Sequence, residues 1–324
     1  MRDQSFDIMK GIGILAMILG HIGLPTPIVR FIFAWHMPLF FIVSGYFFHQ
    51  ISIKESFVKN ARNLLVPYFL TAVVLAICAF LKSHLDLAAL QHNAISIFVG
   101  CGSRKNPTEL SAYFVGAIWF LLALFWCRTG YNVVARYVSV TYRGWLILAL
   151  SVAAVVAGQY VLMPTDVLQG IGAMIFFHVG YLARQHQWFQ RKPQWWLIIA
   201  ILIMTAISAF MGSMSMVRNH YSCYPVNVVA AIGCTYLIYW IAKYITRHSL
   251  CTKWLSHWGS LSLLILCMHI VELDYDKIPW YISQLSIEPH VCKILRWSYR
   301  VVIVLAATEV ASRINLVRKI FNLK

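Results

Sequence analysis

The segment DIMKGIGILAMILGH, residues 7–21, places Lys10 and His21 at either end of ten uncharged residues. A lysine ammonium is a compact cation suited to holding an anion. A neutral imidazole can take a proton near pH 7. In a helix, two such positions fall roughly 20° apart around the axis and ~16 Å apart along it, so they share one face. Asp7, three residues before Lys10, falls on a similar face. A second histidine, His36, lies in FAWHMPLFFIVSGYFF, residues 33–48. The short connection makes the second helix antiparallel to the first, which brings His36 to a depth comparable with His21. Ser44 lies in no GxSxG turn and reads as a packing hydroxyl.

Other candidates come in pairs. Lys59 and Arg62 are three apart; they serve either as ordinary basic anchors or as a clamp for a polyanion such as phosphate. Arg296 and Arg300, four apart in the last long apolar run, suit binding a sugar acid, stabilising developing charge, or pairing with Asp166. Glu309 and Arg313 read as a structural ion pair. Trp119 reads as an interfacial belt residue or as a stacking platform for a sugar ring. No HExxH, CxxC or other compact ligand spacing occurs, and the eight cysteines are scattered, so neither a metal site nor a disulfide framework is expected.

These residues sit in elements of one kind. The chain is 60% hydrophobic and only 12% charged, with a mean hydropathy of +0.70, against about 25% charged residues in a soluble domain. The reading is an all-α polytopic membrane protein. About ten apolar runs are long enough to cross a bilayer: 7–24, 29–50, 63–82, 113–130, 144–162, 167–184, 195–212, 224–244, 258–273 and 292–312. The first reads as a retained span and not as a removed signal segment. With the N-terminus in the cytoplasm, 18 of the 27 basic residues fall on the cytoplasmic side, a positive-inside pattern that places both termini there. This also accounts for the net charge of +16 without nucleic acid as a partner. Outside, residues 83–112 form the longest connection: LDLAALQHNAISIFVG suits the interface, and CGSRKNPTEL is polar and turn-forming. A second outer loop, 272–289, carries four acids.

Several motifs in order resemble the acyltransferase-3 family of integral membrane acyltransferases, close to its fucose 4-O-acetylase-like sugar O-acetylases. Lys10 and His21 match the family's Arg/Lys-x10-His pattern. WHMPLFFIVSGYFF (35–48), Lys59 and Arg62 ahead of NLLVPY (63–68), IWFLLALF (118–125) and WGSLSLLILCMH (258–269) match its further motifs. Lys59 replaces a commoner arginine, and residues 130–257 carry few matches. The resemblance implies one membrane acyltransferase domain over 1–324, moving an acyl group, most often acetyl, from cytoplasmic acyl-CoA such as acetyl-CoA to a carbohydrate hydroxyl in a multi-pass bacterial inner-membrane protein. It implies His21 as general base, His36 as second acid/base or substrate ligand, and Lys10, Lys59 and Arg62 as ligands of the CoA phosphates. Arg296, Arg300 and Trp119 would then meet the carbohydrate, and His269 falls on a family position. The residues by themselves leave open a glycan or lipid-linked sugar transporter, or a non-catalytic assembly factor.

Overall fold

A computed structural model describes residues 3–103, 112–285 and 287–323. Arg2 and Lys324 of the charge pattern, and most of the polar CGSRKNPTEL segment, lie outside the described residues. Each of the ten expected runs is helical. By length and hydropathy, five helices among the described residues are long and apolar enough to cross a bilayer, and seven if two bent pairs each count as one span.

Helix α1 (Gln4–His21) starts where the Asp3 carboxylate accepts from Ser5 N at 2.9 Å, satisfying a first-turn donor. The second run is broken at Ala34–Trp35 into α2 (Thr26–Phe33) and α3 (His36–Tyr46). The third begins earlier than its apolar stretch. Helix α4 (Ile53–Asn60), capped by Ser52 on Glu55 N, passes through a π turn over Ala61–Leu65 into α5 (Val66–Lys82). The π turn directly precedes Pro67, which lacks an amide proton and would crowd a carbonyl of a regular α turn. Helix α6 (Leu87–Val99) is too short to span and packs on α5, with Tyr68 Oη donating to Ile97 O at 2.8 Å.

Next come α7 (Trp119–Tyr137) and α8 (Val140–Tyr160). A pair bent by 46° at Ala173 follows: α9 (Val167–Gly172) and α10 (Met174–Gln185). After α11 (Trp195–Met211) and α12 (Tyr224–Ile245), the ninth run proves to be the second half of a longer element. Helix α13 (Ser249–Ser260) turns by 72° at Leu261 into α14 (Ser262–Tyr275). The acidic outer segment is therefore not all loop: Glu272 and Asp274 end α14, and α15 (Ile278–Ser283) follows before α16 (Pro289–Ser312) and α17 (Asn315–Ile320).

Two reciprocal contacts set the packing. On α1, Gly11 faces the Leu255 carbonyl of α13, while Gly259 of α13 faces the Asp7 carbonyl of α1; an added Cβ would lie 2.2 and 1.7 Å from those oxygens. Helices α3 and α10 repeat the device: Gly45 faces Phe177 O and Gly180 faces Ile42 O, each 1.9 Å from a would-be Cβ. Only glycine admits backbone this close. Between these pairs lie the fully buried Ile8, Met9, Leu39, Phe41, Phe176, Phe177 and Tyr131. On the outside, α5, α8 and α11 leave large apolar side chains bare; Phe210 is 89% exposed, with Trp145, Ile199, Ile203 and Ile77 also uncovered. Lipid chains suit such a surface, and the chain is a multi-pass membrane protein.

Replacing Gly259 by alanine drives a Cβ into backbone and should cost roughly 1–3 kcal/mol or more. Gly13→Ala, which meets only side-chain atoms of Phe40 and Leu39 at 3.2–3.3 Å, should cost less. Melting temperatures of the two detergent-purified variants check the order.

Candidate active site

Helix α1 ends on His21. Its Nδ1 lies 2.8 Å from Met17 O, and His36 Nδ1 lies 2.9 Å from Ile32 O. A carbonyl only accepts, so in each neutral ring Nδ1 holds the proton and Nε2 is left with the lone pair. Phe33 stands between the two rings, with centroids 5.4 Å from His21 and 5.2 Å from His36. Their surroundings differ: His36 is buried, whereas His21 is exposed because its ring opens into cavities on either side.

A third imidazole backs His21. His269 of α14 meets it edge to face, with centroids 5.7 Å apart, and has no exposed surface. One helical turn on, Glu272 Oε2 lies 3.2 Å from His269 Nδ1, and Glu272 Oε1 lies 3.3 Å from Arg300 Nη1 of α16. Contacts thus run from His21 through His269 and Glu272 to Arg300. From sequence, Glu272 reads as the first acid of an outer loop; the helical spacing His269-x-x-Glu272 is the signal that places both on one face. Arg300 is thus committed to Glu272 and not to Asp166, which is buried and accepts instead from Gly102 N at 3.3 Å. Arg296, one turn earlier, has a buried Nε without a hydrogen-bond partner among the described residues. Neither arginine lines the cavities around His21. The pairing expected between Glu309 and Arg313 is also replaced: Glu309 Oε1 lies 2.6 Å from His257 Nε2.

Three cavities follow one another along α1. The first, about 300 Å³, lies at the Lys10 end and includes Arg128, Ser44, Ser262 and Phe120 in its wall. Lys10 Nζ is held 2.8 Å from Asp7 Oδ1. Met17, Met37 and Leu266 close this cavity and also line the next, a chamber of about 60 Å³ that contains both His21 and His36. The third, about 570 Å³, shares His21, Phe33 and Trp119 with the chamber and extends to Arg30, Arg218 and Asp274.

Trp119 is only 7% exposed, so it is a wall of the site and not a belt residue facing lipid headgroups. The cause is local: Gly116, at φ +66°, starts a 3₁₀ turn over Gly116–Ile118 that carries the helix start inward. Lys59 and Arg62 do not join Lys10. They line a separate surface hollow of about 700 Å³ with Lys54, Glu55, Asn63 and Asn322. Arg128 of α7 takes the place beside the inner cavity. From sequence it is indistinguishable from a basic anchor at the end of a span. Ser44, read as a packing hydroxyl, faces the same cavity.

The arrangement offers cations at one end, an accessible proton acceptor in the middle and a larger polar cavity beyond. Comparison with known proteins places the chain among relatives. The nodulation protein NolL of Mesorhizobium japonicum is 27% identical over 229 residues, covering 65% of this chain and 56% of that protein. The NolL of Sinorhizobium fredii is 30% identical over 138 residues, 38% of this chain and 34% of that protein. The chain therefore spans about half the length, or less, of these curated relatives. No solved structure matches it. The profile of the acyltransferase-3 family, described as an acyltransferase domain, matches residues 3–308. That match runs from the N-cap of α1 through most of α16, and the chain belongs to the acyltransferase-3 family.

Proposed function

We propose that this acyltransferase moves an acyl group, best read as acetyl, from cytoplasmic acyl-CoA to a hydroxyl of a surface carbohydrate or its precursor. The observation that carries this reading is the position of His21: it is the exposed imidazole at the junction between a cation-lined cavity and a larger polar one. In this reading the chain is a single domain over 1–324 in a bacterial inner membrane. It crosses ten times, with both termini cytoplasmic, a topology supported by the skew of basic residues.

The proposed chemistry uses that geometry directly. Lys10 and Arg128 attract the phosphates of acyl-CoA, and the pantetheine arm reaches past Ser44 and Ser262 toward Met17. Lys59 and Arg62, with Lys54, form a second basic surface at which the polyanion first arrives. From the other side the carbohydrate enters the outer cavity, where Trp119 offers an aromatic face. The acceptor oxygen attacks the thioester carbonyl as its proton passes to His21 Nε2. The tetrahedral intermediate then expels the CoA thiolate, which recovers that proton from His21. Because Nδ1 is anchored on Met17 O, the ring cannot present the wrong nitrogen. His269, with the Glu272 carboxylate 3.2 Å from its Nδ1, supports the ring from behind. His36, which lines the chamber, is the second acid/base or a substrate ligand. Arg300 and Arg296 act at a remove, through Glu272 and the packing of α16.

Membranes from cells expressing the chain should release thiol from acetyl-CoA and add an acetyl mass to extracted glycans; His21→Ala should abolish both while the protein remains folded. Full activity in His21→Ala would overturn the mechanism. Lys10→Ala and Arg128→Ala should raise KM for acetyl-CoA with a smaller effect on kcat, since they lie far from the bond being made. Glu272→Gln should lower kcat by about a hundredfold, the scale on which a misplaced catalytic group fails, with KM for acetyl-CoA little changed.

A further inference from the structure

Three side chains from three helices, Met17 of α1, Met37 of α3 and Leu266 of α14, line both the inner cavity and the small chamber that holds His21 and His36. They are the boundary an acyl group arriving from the Lys10 end must cross to meet the imidazole. Met17 is 2% exposed and Leu266 is 5% exposed, so neither has room to swing aside without moving its neighbours. Trp119, Met216 and Met214 of the chamber wall are buried as well, whereas Phe33, Met37 and Ala117 are half-buried and His21 is exposed.

The volume behind this boundary sets a scale. A buried water needs roughly 10–15 Å³ of such space, so a chamber of about 60 Å³ admits on the order of five water-sized groups. The methyl, carbonyl and sulfur of an acetyl thioester fit. A butyryl chain adds methylenes beyond what this volume holds, and a succinyl group adds a carboxylate to a wall in which methionine and other apolar side chains outnumber His21, His36 and Ser215. The outer cavity adjoins the chamber, sharing His21, Phe33, Trp119 and Met214 with it, but in the reading above the acceptor carbohydrate fills it when the acyl group arrives. The inner one lies before the boundary, on the Lys10 side of Met17, Met37 and Leu266.

We propose that Met17, Met37 and Leu266 form a sieve that restricts the donor to short, uncharged acyl groups, acetyl above all. This rests on the acyl-CoA reading given above. One methylene in a tight apolar pocket is worth about 10–200-fold in specificity, so the wild-type chain should prefer acetyl-CoA to butyryl-CoA by at least about tenfold in kcat/KM.

The test gives membrane vesicles from cells with and without the chain acetyl-, butyryl- or succinyl-CoA, and reads thiol release together with the acyl mass gained by extracted glycans. Met37→Ala and Leu266→Ala are assayed beside wild type, each first checked for wild-type elution in detergent. The expected result is a strong wild-type preference for acetyl, reduced roughly tenfold in variants that still transfer acetyl. Equal use of acetyl and butyryl by wild type would overturn the sieve while leaving the acyl-CoA reading intact. So would an unchanged preference in both folded variants. Absence of chain-dependent thiol release from every donor would overturn the acyl-CoA reading and the sieve with it. Should either variant fail to fold, Met37→Leu and Leu266→Val take its place in the same comparison.

Discussion

The close approach of α1 and α13, backbone against backbone, is the contact on which the rest of the site depends. Gly11 and Gly259 each admit the other helix's carbonyl, so neither helix can slide or rotate without a clash. With α13 fixed in this way, the 72° turn at Leu261 determines where α14 goes, and α14 carries both Leu266 and His269. The second glycine pair, between α3 and α10, does the same for His36 and Met37 by seating α3. The imidazoles are thus positioned by glycines well away from them and by the backbone carbonyls those glycines admit.

Within that frame the polar groups divide by their partners. Several charged groups near the site are paired: His269 with Glu272, Glu272 with Arg300, Lys10 with Asp7. Charges withdrawn from water need such partners, because an isolated one is costly in an apolar medium. His21 is held only through Nδ1 to Met17, and its other nitrogen faces open space. A membrane protein that leaves one ring nitrogen open in this way, while pairing the charged groups around it, concentrates its reactivity at one atom.

Much of the frame was legible in the chain, and the reasons for the gaps are physical. The spacing of Lys10 and His21 gave a shared face because the helical period is fixed, and α1 is indeed unbroken between them. The apolar runs gave the helices, since runs of that length have few other solutions. Breaks within runs were not legible. The chain bends at Ala173 and Leu261, just after Gly170 and Gly172 and after Gly259–Ser260, but glycines also stand inside unbroken α1, so their presence alone does not mark a bend. The partition of the cations was hidden for a different reason. Lys59, Arg62 and Arg128 all sit near span ends, and only tertiary packing turns Arg128 toward Lys10 while leaving Lys59 and Arg62 in another hollow. Trp119 was ambiguous because belt tryptophans and cavity tryptophans occupy the same depth; the turn at Gly116 decides between them.

Met17 holds two positions at once. Its carbonyl orients His21, and its side chain lines the passage ahead of it. One helical turn therefore joins the aperture to the base, and a change of backbone there would alter both together. Met37 and Leu266 come from other helices and carry no such double duty. Descendants of this chain drifting toward a bulkier donor would have their freedom at 37 and 266, with position 17 held back by the ring it steadies.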